Sequence, residues 1–241
     1  MQNKNKKFRK NNHSVFNLVS KSVKQLALTS LLLPVLSFSS FAEQATDSKI
    51  AVSAEQSGLA KQQLMAKLSK LAFFSADFSQ KILSSQGELL QQGAGSLAIS
   101  KPNLINWKTT SPDETMIISD GNTLWFYDPF IEQASAYSLA KSIHNTPILL
   151  LTSDEPALWQ QYQVTQEQQR FIITPTDKSS RIKRLTLGFN GVNAQLNEFS
   201  FEDATGQVSQ ISLHNFNSKD KPDTAMFTFT LPEGVRLEDQ R

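Results

Sequence analysis

Outside a basic N-terminal segment, few groups in this chain could assemble a reaction: His144, His214, the neighbouring carboxylates Asp113-Glu114 and Glu202-Asp203, and the small-residue run Gly93-Ala94-Gly95-Ser96. Each lacks what its chemistry needs. A zinc centre draws chiefly on histidine and cysteine, and with no cysteine in the chain the two histidines make no cluster. Paired acids do acid–base work in a cleft that shifts their pKa values; both pairs here sit among turn residues, where carboxylates are solvated. The glycine run lacks the Gly-x-Ser-x-Gly spacing that exposes a nucleophilic serine. Nothing resembles a phosphate cradle. The expectation is a non-enzyme with no catalytic residue, no metal and no cofactor.

The elements that would position such groups point the same way. Between Lys101 and Gln133 lie three strand-like runs rich in Ile, Trp, Phe, Tyr and Thr, namely Leu104–Thr109, Glu114–Ser119 and Thr123–Tyr127. Such residues suit a pleated, half-buried surface. Turn chemistry separates the runs at Ser111-Pro112-Asp113, Asp120-Gly121 and Asp128-Pro129, and Asp-Gly between two apolar runs is a strong hairpin signal. This segment builds a sheet wall, which suits binding rather than chemistry.

Further strands are expected at Ala76–Ile82, Gly93–Ser100, Gln161–Glu167, Arg170–Pro175, Ile182–Phe189, Ala194–Glu202, Gln207–Phe216 and Ala225–Leu231. About a dozen antiparallel strands in one domain imply a highly curved sheet or barrel. Leu59, Leu64, Leu68 and Leu71 recur at roughly helical spacing. Short helices are expected near Leu139–Ile143, Pro147–Leu151 and Pro156–Gln160, with Asn145 or Thr146 as a cap before Pro147. A curved sheet that stays open cannot fill its concave side with its own side chains. The helices are too short to fill it with bulk, but they could serve as a lid.

Residues 1–42 read as a secretory signal peptide: a long basic region, an apolar stretch Leu26–Phe41, then Ser40-Phe41-Ala42 before a plausible cut. Residues 43–57 are polar and read as a flexible start, with the domain proper at 58–241. The segment 1–42 carries seven Lys/Arg and no Asp/Glu, so its removal takes the formal charge from +2 to −5. A mildly acidic product argues against nucleic acid, whose phosphates are bound by neutralising Lys/Arg, and against anionic lipid headgroups.

The motifs of the wall resemble those of the periplasmic outer-membrane lipoprotein carrier proteins (LolA). The matching residues are Lys101-Pro102-Asn103-Leu104-Ile105-Asn106-Trp107, Ser119-Asp120-Gly121, Leu124-Trp125-Phe126-Tyr127, Pro129-Phe130 and Glu132-Gln133. They continue with Asn145-Thr146-Pro147, Trp159-Gln160-Gln161-Tyr162, Phe227-Thr228-Phe229-Thr230 and Asp239-Gln240-Arg241. The resemblance covers nearly all of the chain after the signal, in one colinear order.

The resemblance implies a mainly β fold with α: a one-domain, open (incomplete) antiparallel β-barrel covered by a short α-helical lid over an apolar cavity. It implies a monomeric periplasmic chaperone. Such a carrier accepts lipoproteins from an inner-membrane ATP-driven (ABC) lipoprotein-releasing complex and shields their acyl chains. It then delivers them to a LolB-type receptor on the outer membrane. That receptor is itself anchored through an N-terminal cysteine, so this cysteine-free chain cannot be it.

Lys101 falls where the family usually has an arginine that hydrogen-bonds lid carbonyls; lysine lacks the planar fork. Ile105 occupies a position that is commonly Phe. Leu68, Leu149 and Leu151 fall on the expected lid helices, and Phe74, Phe78 and Trp107 are expected near the cavity, with ordinary core packing as the alternative for each. Rival readings are an anti-sigma regulator type of interaction module, a periplasmic hydrolase, and a carrier of other amphiphilic lipids.

Overall fold

The computed structural model describes residues 43–142, 147–153, 155–191 and 195–241. The expected signal peptide and the Asn145/Thr146 cap lie outside the described residues. The chain divides into two compact units, residues 1–53 and 54–241. Described residues of the first are the opening turns of a helix; the second holds the sheet.

The order of elements is α1 (Glu43–Leu68), β1 (Phe73–Leu83), β2 (Leu89–Ser100), β3 (Leu104–Ser111), β4 (Thr115–Asp120), β5 (Thr123–Asp128) and β6 (Gln133–Ser138). Next come α2 (Leu139–Ser142), a 3-10 helix Pro147–Leu151 and α3 (Pro156–Trp159). Then follow β7 (Tyr162–Glu167), β8 (Arg170–Pro175), β9 (Ile182–Phe189), β10 (Leu196–Asp203), β11 (Val208–Asn217), a 3-10 turn Thr224–Phe227 and β12 (Arg236–Gln240).

All twelve strands form one sheet in the order β12-β6-β5-β4-β3-β2-β1-β11-β10-β9-β8-β7. Hairpin neighbours pair antiparallel, β1 and β11 join the two halves, and β12 runs parallel to β6. The outermost strands β12 and β7 do not pair with each other, so the sheet is an open, mostly antiparallel half-barrel, as expected.

Register assigns the faces, because directly opposed residues share a side. Phe74, Phe78, Leu97, Ile99, Ile105, Trp107, Ile117, Phe126, Phe199, Leu187, Phe171 and Ile173 fall on one face of successive strands. All are buried. That face is also concave. Trp107 on β3 and Phe199 on β10 are four strand positions apart, about 19 Å in a flat sheet at roughly 4.8 Å per strand. Their ring centroids nevertheless lie 6.0 Å apart. Only a strongly curled sheet brings them together.

Gly95 permits the curl. It faces Phe78 across the β1–β2 ladder and sits at an irregularity in the β2–β3 pairing. A Cβ there would lie 2.0 Å from the Lys108 carbonyl oxygen and 2.7 Å from the Phe78 ring. Without one, Phe78 and Trp107 meet over β2 with centroids 4.4 Å apart.

The outer face has its own cover. The strap between β11 and β12 lays Phe229 against Trp125 and Tyr127, with centroids at 5.0 and 5.5 Å. Phe227 is buried, and Asn106 Nδ2 donates to the Met226 carbonyl.

Three expectations are corrected. Helix α1 occupies Glu43–Ser57, where a flexible start was expected; Ala, Gln, Glu and Lys there are good helix formers. Ala225–Leu231 alternates like a strand but forms a 3-10 turn capped by the Asp223 carboxylate, followed by an extended strap. The last strand is instead the charged Arg236–Gln240. Finally, β6, built from Gln133-Ala134-Ser135-Ala136-Tyr137-Ser138, is an additional strand that its small residues did not announce.

Gly95→Ala is expected to cost about 1–3 kcal/mol, the range for forcing an extra carbon into a packed site. A urea midpoint equal to that of the unmodified protein would show that β1, β2 and β3 tolerate separation.

Candidate functional site: a lidded concave face

The lid begins with α1. Ala60, Leu64 and Leu68 recur every four residues on one side of the helix and are buried. The 3-10 helix Pro147–Leu151 buries Ile148, Leu149, Leu150 and Leu151, and α3 buries Leu158 and Trp159. These side chains cover the apolar face of the sheet, so the site stands closed. Non-directional apolar contact holds the layers together; a few directed polar bonds set where each lid piece sits.

Lys101 makes the first of these. Its Nζ donates to the Leu68 carbonyl at 3.0 Å, where the last carbonyls of a helix lack intrahelical partners. The same turn binds the lid twice more. The Lys101 backbone N–H donates to the Ala72 carbonyl at 2.8 Å, and that of Asn103 donates to the Thr152 carbonyl at 3.0 Å. Asn103 holds φ near 62°, a left-handed conformation that asparagine tolerates better than most residues. Its own carbonyl accepts from the buried Ser119 hydroxyl at 2.6 Å. One turn between β2 and β3 thus grips both the end of α1 and the end of the 3-10 helix.

The far side of α1 is tied to the opposite sheet edge. Lys61 Nζ donates to the Trp159 carbonyl at 3.0 Å, and the Ser57 hydroxyl accepts from the Val164 N–H of edge strand β7 at 3.2 Å. Lys67 Nζ sits 5.3 Å from the Phe189 ring centroid, within reach of a cation–π attraction. Next to Trp159, burial pushes the Tyr162 phenol above its ordinary range.

Of the residues singled out in the sequence, Phe74, Phe78, Ile105 and Trp107 lie on the concave face, and Leu68, Leu149 and Leu151 lie on the lid. All seven are buried, and Lys101 sits at the joint between the layers. Sequence reasoning did not find Lys61, Lys67 or Ser57, and it placed Asn103 in a motif without foreseeing its tie to the lid. Their partners are backbone groups or a ring distant in the chain, and no local pattern marks such pairings.

Of the groups weighed for chemistry, His144 lies outside the described residues, and four others have structural partners. Glu114 pairs with Lys108 at 2.8 Å and Glu202 with Arg184 at 3.3 Å. Asp203 accepts from the N–H groups of Thr205 and Gln207, and His214 Nε2 shares a hydrogen bond with the Ser79 hydroxyl.

A half-barrel with a largely apolar inner face, covered by one long helix and short helical turns tied on by polar bonds, is the class of fold this chain adopts. The chain belongs to the outer membrane lipoprotein carrier protein LolA family, whose family model matches residues 69–230. It is 39% identical over 218 residues to an outer-membrane lipoprotein carrier protein of Pectobacterium atrosepticum, covering 90% of this chain and 98% of that one. It is 42% identical over 190 residues to a protein of the same description from Yersinia enterocolitica, covering 79% and 93%. Among solved structures, a LolA superfamily protein from Nitrosomonas europaea matches with a TM-score of 0.40 and 14% identity, over 69% of this chain and 97% of that one.

Replacing Lys101 by Leu removes the bond to Leu68. Amide hydrogen exchange in the last turn of α1 is expected to rise about fivefold, the equivalent of roughly 1 kcal/mol for a partly exposed hydrogen bond. Unchanged protection there, with β-strand amides as the internal reference, would show that apolar packing alone fixes the helix end.

Proposed function

We propose that this protein is a periplasmic carrier of lipoproteins bound for the outer membrane, not an enzyme. Their acyl chains enter between the sheet and the lid. The observation that carries this reading is the largely apolar inner face running across the half-barrel from β5 to β8 under a cover of helices. Among the described residues no helix is long and apolar enough to cross a membrane. Membership in a family described as lipoprotein carriers supports the same reading.

Energetics give the carrier its place between two membranes. Burying an acyl chain is worth about 0.8 kcal/mol per CH₂, so several long chains approach the practical ceiling of reversible binding, roughly 18–21 kcal/mol. Extraction needs external work, and an inner-membrane ATP-driven lipoprotein-releasing complex is the partner that supplies it. An outer-membrane receptor of LolB type takes the cargo. Lid closure matters for release: Leu64, Leu68, Leu149 and Leu151 re-cover the concave face when the chains leave, so the empty shell recovers part of the apolar burial it loses. Lys101 and the Asn103 turn define the closed end point. Residues 1–42 are, in this reading, the signal for export.

Two experiments test this. Mass spectrometry of the protein purified after export is expected to find acylated peptides or lipoproteins bound to it; free phospholipid alone would favour a carrier of other amphiphiles. In a reconstituted transfer assay, Lys101→Leu is expected to load cargo but pass it on several-fold more slowly, and wild-type transfer by this variant would remove Lys101 from the handover.

A further inference from the structure

The concave face carries one polar side chain with an unmet need. Gln80 lies on β1 between Phe78 and Ile82, on the same side as both, and pairs with Gly93 on β2 and Ile211 on β11. It is only 7% exposed, and its Nε2 has no hydrogen-bond partner. A buried amide without a partner forfeits most of its hydration without return. At this position an aliphatic residue would pack without that penalty.

The surroundings give the amide a direction. Gly93 faces it across the ladder with no side chain; a Cβ there would lie 2.9 Å from the Ser111 carbonyl oxygen and 3.8 Å from Gln80 Oε1. The flank of the amide is therefore walled by the backbone of β2 and β3. Around Ile82, the next inward position on β1, the cross-strand partners are Gln91 and the buried Ser209. Toward the Lys101 turn, the corresponding positions hold Phe74, Ile99 and Ile105. Next along that row is the buried Ser119, whose hydroxyl is already spent on the Asn103 carbonyl, so the unpartnered donor of the inner face sits at Gln80 and not at the Lys101 turn.

We propose that Gln80 is the hydrogen-bond donor inside the hollow for the carbonyl that joins a fatty acyl chain to its carrier molecule. The proposal rests on the acyl-carrier reading above. It states how the ligand lies: methylene tails run toward Phe74, Ile99 and Ile105, and the ester or amide carbonyl stops at Gln80 Nε2. An acyl linkage offers an acceptor and no charge, which is what a donor within an apolar wall can receive at low desolvation cost. The same chemistry is present in an acylated protein N-terminus and in a glycerolipid ester.

The test compares ligands that differ only in that carbonyl. Protein purified after export, stripped of lipid, is titrated with an N-acetylated peptide carrying O-palmitoyl serine and with its O-hexadecyl ether counterpart, both uncharged at the linkage. A parallel pair is a palmitoyl lysophospholipid and its hexadecyl ether. Wild type is expected to favour the carbonyl member of at least one pair by about tenfold, the scale of one buried hydrogen bond. Gln80→Leu is expected to erase that preference while still binding the alkyl member. Preference in the peptide pair assigns the contact to acylated protein, and preference confined to the lysolipid pair assigns it to free lipid.

Equal binding of both members by wild type overturns the role of Gln80 and leaves the carrier reading intact. Failure to bind any of the four overturns the carrier reading itself. Should Gln80→Leu fold poorly, the wild-type Gln80 side-chain amide resonances decide: they shift with the acyl ligand and not with the alkyl one, or the proposal falls.

Discussion

The close approach of β1, β2 and β3 around Gly95 is the constraint on which the molecule depends. A sheet of twelve strands left to its ordinary twist would splay, and its two apolar ends would not face one another. Removing one Cβ lets the Lys108 carbonyl and the Phe78 ring close over β2. Trp107 then reaches across the hollow to Phe199. That aromatic bridge converts a wall into a shell, and a shell has an interior that something must cover.

The cover is held by two kinds of force with different reach. Burial of Leu64, Leu68, Leu149 and Leu151 supplies most of the attraction but little direction, since apolar contact is roughly proportional to area and indifferent to angle. Direction comes from lysines and backbone groups: Lys101 at the hinge turn, Lys61 and Ser57 at the β7 edge. The first force is set by buried area and the second by geometry, so the apolar layer supplies the hold and the polar ties fix where each lid piece rests.

Much of this was legible in the residues. The three runs after Lys101 are so rich in β-branched and aromatic residues, and so plainly divided by turn residues, that strands β3, β4 and β5 follow, and Asp120 secures the β4–β5 hairpin by accepting from the N–H groups of Asn122 and Thr123. Leu64 and Leu68 are buried as their spacing indicates, but Leu59 of the same expected stripe is exposed, Ala60 takes its place, and Leu71 lies beyond the end of α1. Other parts were illegible for physical reasons. Ala134 and Ala136 are fully buried yet too small to advertise a strand, because β6 is sealed by its neighbours and not by its own bulk. Phe227 and Phe229 alternate like ladder residues, but Asp223 caps a 3-10 turn and both rings seal the outer face. Gln80 read as one polar residue in an alternating strand. The alternation of Ala76, Phe78, Gln80 and Ile82 with Asp77, Ser79 and Lys81 already puts it on the inward side; that its amide finds no partner there is visible only in the folded chain.

The seam between β1 and β11 has a consequence for how the molecule comes to exist. It joins Ser75 to Asn217 and Phe78 to Leu213, whereas the flanking hairpins join near neighbours. Closing so long a loop is entropically expensive, and folds that depend on such pairings assemble slowly. Without β11, β1 would be an unpaired border and the apolar side of β1–β6 half a trough, so a chain that has not yet closed this seam exposes the kind of surface that aggregates. Until then the inner face lacks the shelter from water that the finished fold gives it.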